Sequence, residues 1–117
     1  MRTQQDFTML AGEDRDINFT IWEDDTDTTR KNINNYDFTW IMQPNERSAV
    51  PTIIKTSGSL TITITDAGSG KLTVPLGSAD TLSIEGTYYH ELKGVDTLGR
   101  AVKPAIGHIT ILPTGTD

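Results

Sequence analysis

In the stretch Gly58–Leu76, apolar residues occupy every second position on both sides of a turn rich in Gly, Ser and Asp. These apolar positions are Leu60, Ile62 and Ile64 before the turn and Leu72, Val74 and Leu76 after it. Successive side chains of a strand point to opposite faces of its sheet, so each segment presents one apolar face. Two such segments joined by a short loop that contains Gly form a β-hairpin. The sequence therefore predicts an all-β protein.

The rest of the 117-residue chain carries further short segments rich in β-branched and aromatic residues. With the hairpin they predict seven or eight strands, the others lying at 6–10, 15–22, 36–43, 52–56, 86–96 and 107–112. Residues 78–84 break the alternation and predict a single helical turn with Ser78 as its N-cap. A chain of this length forms one domain, so we expect one β-sandwich over residues 1–117, with a frayed tail at about 113–117.

Two segments resemble strands of immunoglobulin domains. Trp40 with the following Ile-Met-Gln-Pro resembles the strand that carries the core Trp. The segment GTYYHEL at 86–92 resembles a late strand of those domains, with His90 at the usual Cys position. The chain has no cysteine, so the resemblance implies an immunoglobulin-like antiparallel β-sandwich without a disulfide. Alternation does not define strand order, and a fibronectin-like or jelly-roll sandwich stays open as an alternative.

The charge balance excludes several classes of partner. The formal net charge is −6 and the pI is about 4.7. Nucleic-acid affinity comes mainly from Lys and Arg that neutralise phosphates, so we expect no nucleic-acid partner. Because the chain itself is acidic, we also expect no attraction to anionic lipid. Without cysteine, a thiol nucleophile and a thiolate metal site are impossible.

The N-terminal residues are polar, and no apolar run approaches the length of a membrane span. The start also lacks the basic and apolar regions of a signal peptide. We therefore expect a protein made in the cytoplasm without a signal peptide or a membrane partner.

A run of carboxylates stands between two predicted strands, and its members are Glu23, Asp24, Asp25 and Asp27. Clustered carboxylates can supply oxygen ligands to Ca²⁺, but the spacing and the Gly of an EF-hand are missing. A solvated acidic loop and a contact loop for a basic patch on a partner are the other interpretations. We retain the four residues as interface candidates and expect no bound metal or cofactor.

The two histidines, His90 and His108, lie on strands that can be neighbours in a sandwich. A metal or acid–base role needs a third partner and a pocket. Alternation places His90 on the face of Tyr88 and Leu92, whereas His108 lies opposite Ile109. We therefore expect neither histidine to be catalytic and the protein not to be an enzyme.

Four aromatic residues divide into two sets. Alternation assigns Trp40 and Tyr88 to the core and places Trp22 and Tyr89 on outward faces. Exposed aromatic side chains are enriched in protein interfaces and can also stack on sugars. We therefore treat Trp22 and Tyr89 as interface candidates.

From Ser59 to Leu112 the chain resembles a family of small bacteriophage structural domains. The order of segments carries the resemblance, and the segments are SLTITITD (59–66), GSGKLTVPL (68–76), SADTL (78–82), GTYYHEL (86–92), DTLGR (96–100) and GHITI (107–111). Domains of this kind resemble the N-terminal domain of baseplate upper proteins, and they also occur as free-standing head or tail accessory proteins. The family has no catalytic residues to carry over.

The resemblance implies a virion structural protein, and the short chain favours a capsid decoration or accessory protein. Its partners would be other phage structural proteins, either the major capsid protein or components of the tail or baseplate. A homo-oligomer or symmetric array is expected, with the protein made in the host cytoplasm and located in the virion. The alternatives are a tail, baseplate or neck adaptor and a host-surface carbohydrate-binding module.

Overall fold

The computed structural model describes residues 3–22, 31–45, 47–48, 51–59, 61–82 and 84–113. Over these residues the backbone forms nine strand segments and two short helical turns. The strands are β1 (Thr3–Gln4), β2 (Phe7–Leu10), β3 (Arg15–Thr20), β4 (Asp37–Gln43), β5 (Ile53–Thr56), β6 (Thr63–Asp66), β7 (Lys71–Leu76), β8 (Gly86–Val95) and β9 (Ala101–Leu112). The turns are a 3₁₀ turn at Ala67–Ser69 and an α-helical turn, α1, at Ser78–Thr81.

The strands form two sheets. In the larger sheet β9, β8, β4 and β5 follow one another, and both β1 and β2 pair with the free side of β9. The smaller sheet has the order β3–β7–β6. Because β1 and β2 are successive segments of one edge strand, the nine segments occupy eight strand positions, within the predicted range.

This strand order is that of an immunoglobulin-like sandwich, in which one sheet contains strands B, E and D and the other contains C, F and G. Here β3, β7 and β6 take the first set of places, and β4, β8 and β9 take the second. The predicted all-β immunoglobulin-like sandwich is therefore confirmed. One detail differs, because β1 and β2 run parallel to β9 and make the larger sheet mixed. The turn at residues 11–14 leads β2 directly into the other sheet, and this fixes its direction.

The predicted alternation is confirmed in the core. Buried side chains from both sheets meet between the layers, and they include Ile17, Phe19, Phe38, Trp40, Met42, Leu72, Val74, Leu76, Leu92, Ile109 and Ile111. At about 25 cal/mol per Å² of apolar surface, burial of this layer is the main favourable term in folding. Every buried side-chain N or O atom of the described residues has a hydrogen-bond partner.

The helical turn and the last strand differ from the prediction at their starts. The helical turn begins at Ser78, but its N-cap is Gly77, whose N–H donates to Asp80 Oδ2 at 2.8 Å. The last strand begins at Ala101 instead of Gly107, because pairing with β8 continues to Val95.

No described helix is long and apolar enough to cross a membrane. Of the predicted tail at 113–117, only Pro113 lies within the described residues.

Candidate contact surface

The outer face of the larger sheet carries a row of side chains that spans four strands and is apolar on three of them. Pairing places Ile106 of β9 opposite Glu91 of β8, Glu91 opposite Ile41 of β4, and Ile41 opposite Ile54 of β5. Neighbouring strands lie about 4.8 Å apart, so the row extends over about 14 Å. We call Ile106, Ile41 and Ile54 the isoleucine row.

The isoleucine row is open to solvent at one end. Ile54 is 56% exposed, and Ile41 and Ile106 are half-buried. Each isoleucine stands on a strand that pairs on at least one side, so the backbone beneath it is held in register by ladder hydrogen bonds. The side chains of the row are therefore presented by preformed sheet backbone, with the Glu91 side chain between Ile106 and Ile41.

A second row of polar and aromatic side chains runs beside the isoleucine row. Pairing aligns His108 of β9 with Tyr89 of β8 and Tyr89 with Gln43 of β4. The rings of Tyr89 and His108 meet edge to face, with centroids 6.1 Å apart. The Tyr89 hydroxyl donates to Glu91 Oε1 at 3.2 Å, and Lys103 Nζ lies 3.5 Å from the same oxygen. This network fixes Tyr89 against the sheet.

The expectation that Tyr89 is exposed is wrong, since only 8% of it is accessible. Its side chain does point to the outer face as alternation predicts, but β8 is a central strand. Side chains on both neighbouring strands therefore cover the ring, and the predicted role of Tyr89 in an interface remains a prediction.

The other interface candidates lie elsewhere. Trp22 is half-buried and follows β3 of the smaller sheet, so the structure does not bring it together with Tyr89. The acidic candidates Glu23, Asp24, Asp25 and Asp27 lie outside the described residues. Within the described part of the chain, no group of three or more His, Asp or Glu side chains can hold a metal ion.

Sequence reasoning missed Ile54 and Ile106 as surface residues. A signal for Ile54 was present, because Ile53 and Ile54 are adjacent and consecutive strand residues face opposite ways. Ile53 is 9% exposed and takes the core position, which leaves Ile54 outside. The strand that contains Ile106 was predicted to begin one residue later, so its face could not be assigned.

The two histidines face opposite sides of the larger sheet, as predicted. His108 is exposed on the outer face, whereas His90 is fully buried between the sheets. Trp40 Nε1 donates to His90 Nδ1 at 3.1 Å, and His90 Nε2 lies 2.6 Å from the carbonyl oxygen of Gln5. Burial lowers the pKa of His90, partly offset by the Gln5 carbonyl and by the Asp6 carboxylate.

The carboxyl groups of Asp6 and Asp96 have lowered pKa values because backbone N–H groups donate to them. Asp6 Oδ1 accepts from the His108 N–H at 2.8 Å, and this bond is the largest cause of its lowered pKa. Asp96 accepts the Arg100 N–H at 2.9 Å in the turn between β8 and β9, with the same effect on its pKa. Both carboxylates organise the backbone around them.

No family model and no curated protein matches the sequence. Among solved structures, the chain is similar to AggA, the major subunit of aggregative adherence fimbriae type I from Escherichia coli. The identity is 11%, the TM-score is 0.37, and the similarity covers 92% of this chain and 89% of that one. A similarity of this size carries no argument about function.

Proposed function

We propose that this chain is a structural protein of a bacteriophage particle, a capsid decoration or accessory protein that acts through protein–protein contacts. The isoleucine row is the observation that carries the contact role, because it places apolar side chains on a preformed sheet face. We propose a phage particle because the order of strand segments resembles that of phage structural domains. Other phage structural proteins, with the major capsid protein first, are the proposed partners.

The chemistry of the surface fits such a role. Ile41 and Ile54 are paired neighbours at the open end of the row, and the Lys103–Glu91–Tyr89 network borders this apolar pair. Interfaces commonly combine an apolar centre with a rim of this kind. In a symmetric shell many copies bind together, and a modest affinity for each contact then suffices.

The test compares two exposed apolar residues that lie on different parts of the surface. Ile54→Asp places a charge on the isoleucine row, and Leu98→Asp places the same charge in the turn after β8, where Leu98 is 76% exposed. Each purified variant is mixed with particles that lack the chain, and bound protein is measured after sedimentation. We expect Ile54→Asp to weaken binding at least tenfold, about 1.4 kcal/mol, and Leu98→Asp to bind as the unchanged protein does.

Equal binding by both variants would reject the isoleucine row as the contact. Failure of the unchanged protein to bind any particle would reject the virion role itself. Quantitative mass spectrometry of purified particles then separates decoration from the alternatives. A copy number near that of the major capsid protein indicates decoration, and a handful of copies indicates a tail, baseplate or neck adaptor.

The carbohydrate-binding alternative relied on exposed aromatic rings. A sugar stacks on the face of a ring, and Tyr89 exposes only 8% of its surface. Of the two aromatic candidates, only the half-buried Trp22 then remains for stacking. The contact role is therefore preferred.

A further inference from the structure

The junction between β1 and β2 is attached to the larger sheet by two titratable side chains. His90 Nε2 lies 2.6 Å from the Gln5 carbonyl oxygen, and Asp6 Oδ1 accepts the His108 N–H at 2.8 Å. The Gln5 N–H still donates to the Ile106 carbonyl at 2.8 Å. The hydrogen bonds of the His90 and Asp6 side chains thus add to the backbone hydrogen bonds that pair β1 and β2 with β9.

Gly107 explains why the edge strand is interrupted there. A Cβ at this position would fall on the backbone carbonyl of Gln5. Glycine lets the N-terminal segment approach closely, so that the Gln5 carbonyl can reach the ring of His90. The interruption between β1 and β2 therefore directs a backbone acceptor into the core.

The partners of His90 define its tautomer. An indole N–H is a donor only, so Nδ1 must accept from Trp40 and carries no proton. Nε2 therefore carries the proton and donates it to the Gln5 carbonyl. The neutral ring satisfies both neighbours, packs against Phe7 and Phe19 with centroids 5.8 and 6.4 Å away, and is fully buried.

A protonated ring cannot satisfy both neighbours. An imidazolium has two donors and no acceptor, so it opposes the Trp40 N–H and also places a charge in the core. The Asp6 carboxylate and the Gln5 carbonyl favour that charge, and His108 disfavours it. A further charge on this side is the guanidinium of Arg15 on β3, which lies 4.9 Å from the centre of the Phe7 ring that packs against His90. Burial is the largest of these effects, so the pKa of His90 is lowered and the neutral ring is favoured.

We propose that His90 is an acid-sensitive latch whose protonation releases the N-terminal segment β1–β2 from β9 while the rest of the sandwich stays folded. The segment is suited to local release because, among the described strands, it pairs only with β9. Its ties to β3 are polar, with Gln5 Nε2 donating to the Asn18 carbonyl at 3.1 Å and Arg15 Nη1 to the Thr8 carbonyl at 3.3 Å. Met9 and Phe7 of β2 pack on the core between the sheets, so release also exposes these two side chains to solvent.

The size of the effect follows from proton linkage. An unperturbed His has a pKa of about 6.5, so above this pH the closed and open states both hold a neutral ring. Below it only the open state binds the proton, and the opening equilibrium rises about tenfold for each pH unit. The rise stops when the pH reaches the lowered pKa of the closed state. Release leaves one side of β9 without its strand partner.

Introduced thiols measure the release, because the chain has no cysteine of its own. Met9→Cys places a thiol on β2, where Met9 is 2% exposed, and Val74→Cys places one on β7 in the other sheet, where Val74 is fully buried. Each is labelled from about pH 7.5 to about pH 5 with a dipyridyl disulfide. We divide the labelling rate of the β2 thiol by that of the β7 thiol, because this ratio cancels the effect of pH on the reagent.

We expect this ratio of the β2 rate to the β7 rate to rise as the pH falls below about 6.5, by up to about tenfold per pH unit, and to stay flat when His90→Gln is added. A ratio that does not change overturns the latch. Labelling that rises equally at both thiols also overturns it, because the whole sandwich then opens. A rise that persists in His90→Gln removes His90 from the mechanism.

A measurement on the unchanged protein covers the case in which His90→Gln does not fold. Nitrogen-15 spectra of the imidazoles distinguish the two tautomers, and the chain has only two histidines. We expect the His90 ring to carry its proton on Nε2 and to have a pKa below the ordinary value of about 6.5. A His90 ring protonated on Nδ1, or one that titrates at or above the ordinary value without loss of the β2 amide signals, overturns the proposal.

Discussion

The indole N–H of Trp40 donates to Nδ1 of His90 across a distance of 3.1 Å, with both side chains fully buried. In immunoglobulin domains the core Trp packs against the inter-sheet disulfide. Here the ring of His90 lies where one cysteine of that disulfide would be, and the ring of Phe19 from the opposite sheet lies 6.4 Å away. A hydrogen bond within one sheet and an aromatic contact between the sheets thus replace the covalent link.

The first prediction concerns this hydrogen bond. Trp40→Phe removes the donor, leaves Nδ1 of His90 without its partner and opens space in the core. We expect the free energy of unfolding to fall by about 2–4 kcal/mol, measured by urea denaturation. Tyr36→Phe is the control, because Tyr36 is a half-buried aromatic residue that stacks on Phe38. It should cost less than about 1 kcal/mol, and an equal cost for both variants would contradict the assigned role of the Trp40 N–H.

The second prediction concerns stability against pH. The pKa of His90 is lowered in the folded state, so the folded protein binds fewer protons than the unfolded chain below about pH 6.5. Stability should therefore be complete above that pH and fall as the pH decreases towards the folded-state pKa, by up to about 1.4 kcal/mol per unit. Urea denaturation at a series of pH values measures the slope. His90→Gln should remove it, whereas His108→Gln should leave it in place.

At lower pH the carboxyl groups add to this loss. The pKa values of Asp6 and Asp96 are lowered in the folded state, so their contributions are present above the ordinary value of about 3.8 and disappear below it. Asp6→Asn should reduce the pH dependence of stability in this acid window and not near pH 6.5. A change confined to the neutral range would contradict the assignment.

The third prediction uses the two glycines Gly107 and Gly58. A Cβ at Gly107 would meet the backbone of Gln5, whereas a Cβ at Gly58 would meet nothing within 4 Å. We expect Gly107→Ala to lower the free energy of unfolding by more than about 2 kcal/mol, because the N-terminal segment must move. Gly58→Ala should change it by less than about 0.5 kcal/mol. Thermal unfolding compares the two, and similar melting temperatures would show that the close approach is absent.

The fourth prediction compares two ion pairs of different burial. Lys55 Nζ lies 2.9 Å from Asp80 Oδ2, with side chains 15% and 26% exposed, and Asp80 also accepts the N–H of the N-cap residue Gly77. Asp80→Ala removes both contacts and should cost about 1–2 kcal/mol in urea denaturation. Lys103 lies 3.5 Å from Glu91 with its side chain 55% exposed, so Lys103→Ala should cost less than about 0.5 kcal/mol. A reversed order would contradict the burial argument.

The candidate surface was only partly predictable from the sequence. Alternation assigned Tyr89 to the outer face correctly, but it could not show that neighbours on β4 and β9 cover the ring. Exposure depends on which strands flank a residue, and that is a property of sheet order. The isoleucine row has the same origin, because Ile106, Ile41 and Ile54 are distant in sequence and meet only through the pairing of four strands.

Alternation along the chain was enough to predict the class of fold and most of the core. Periods of two in the segments around Ile17, Trp40 and Leu72 place these side chains between two sheets, because a one-residue shift would expose the whole apolar set. The parallel docking of the N-terminal strand, the tautomer of His90 and the contact of the Gln5 carbonyl with its ring follow from the three-dimensional arrangement instead. Each of these depends on contacts between residues far apart along the chain, such as Gln5 with Gly107, and local periodicity carries no information about them.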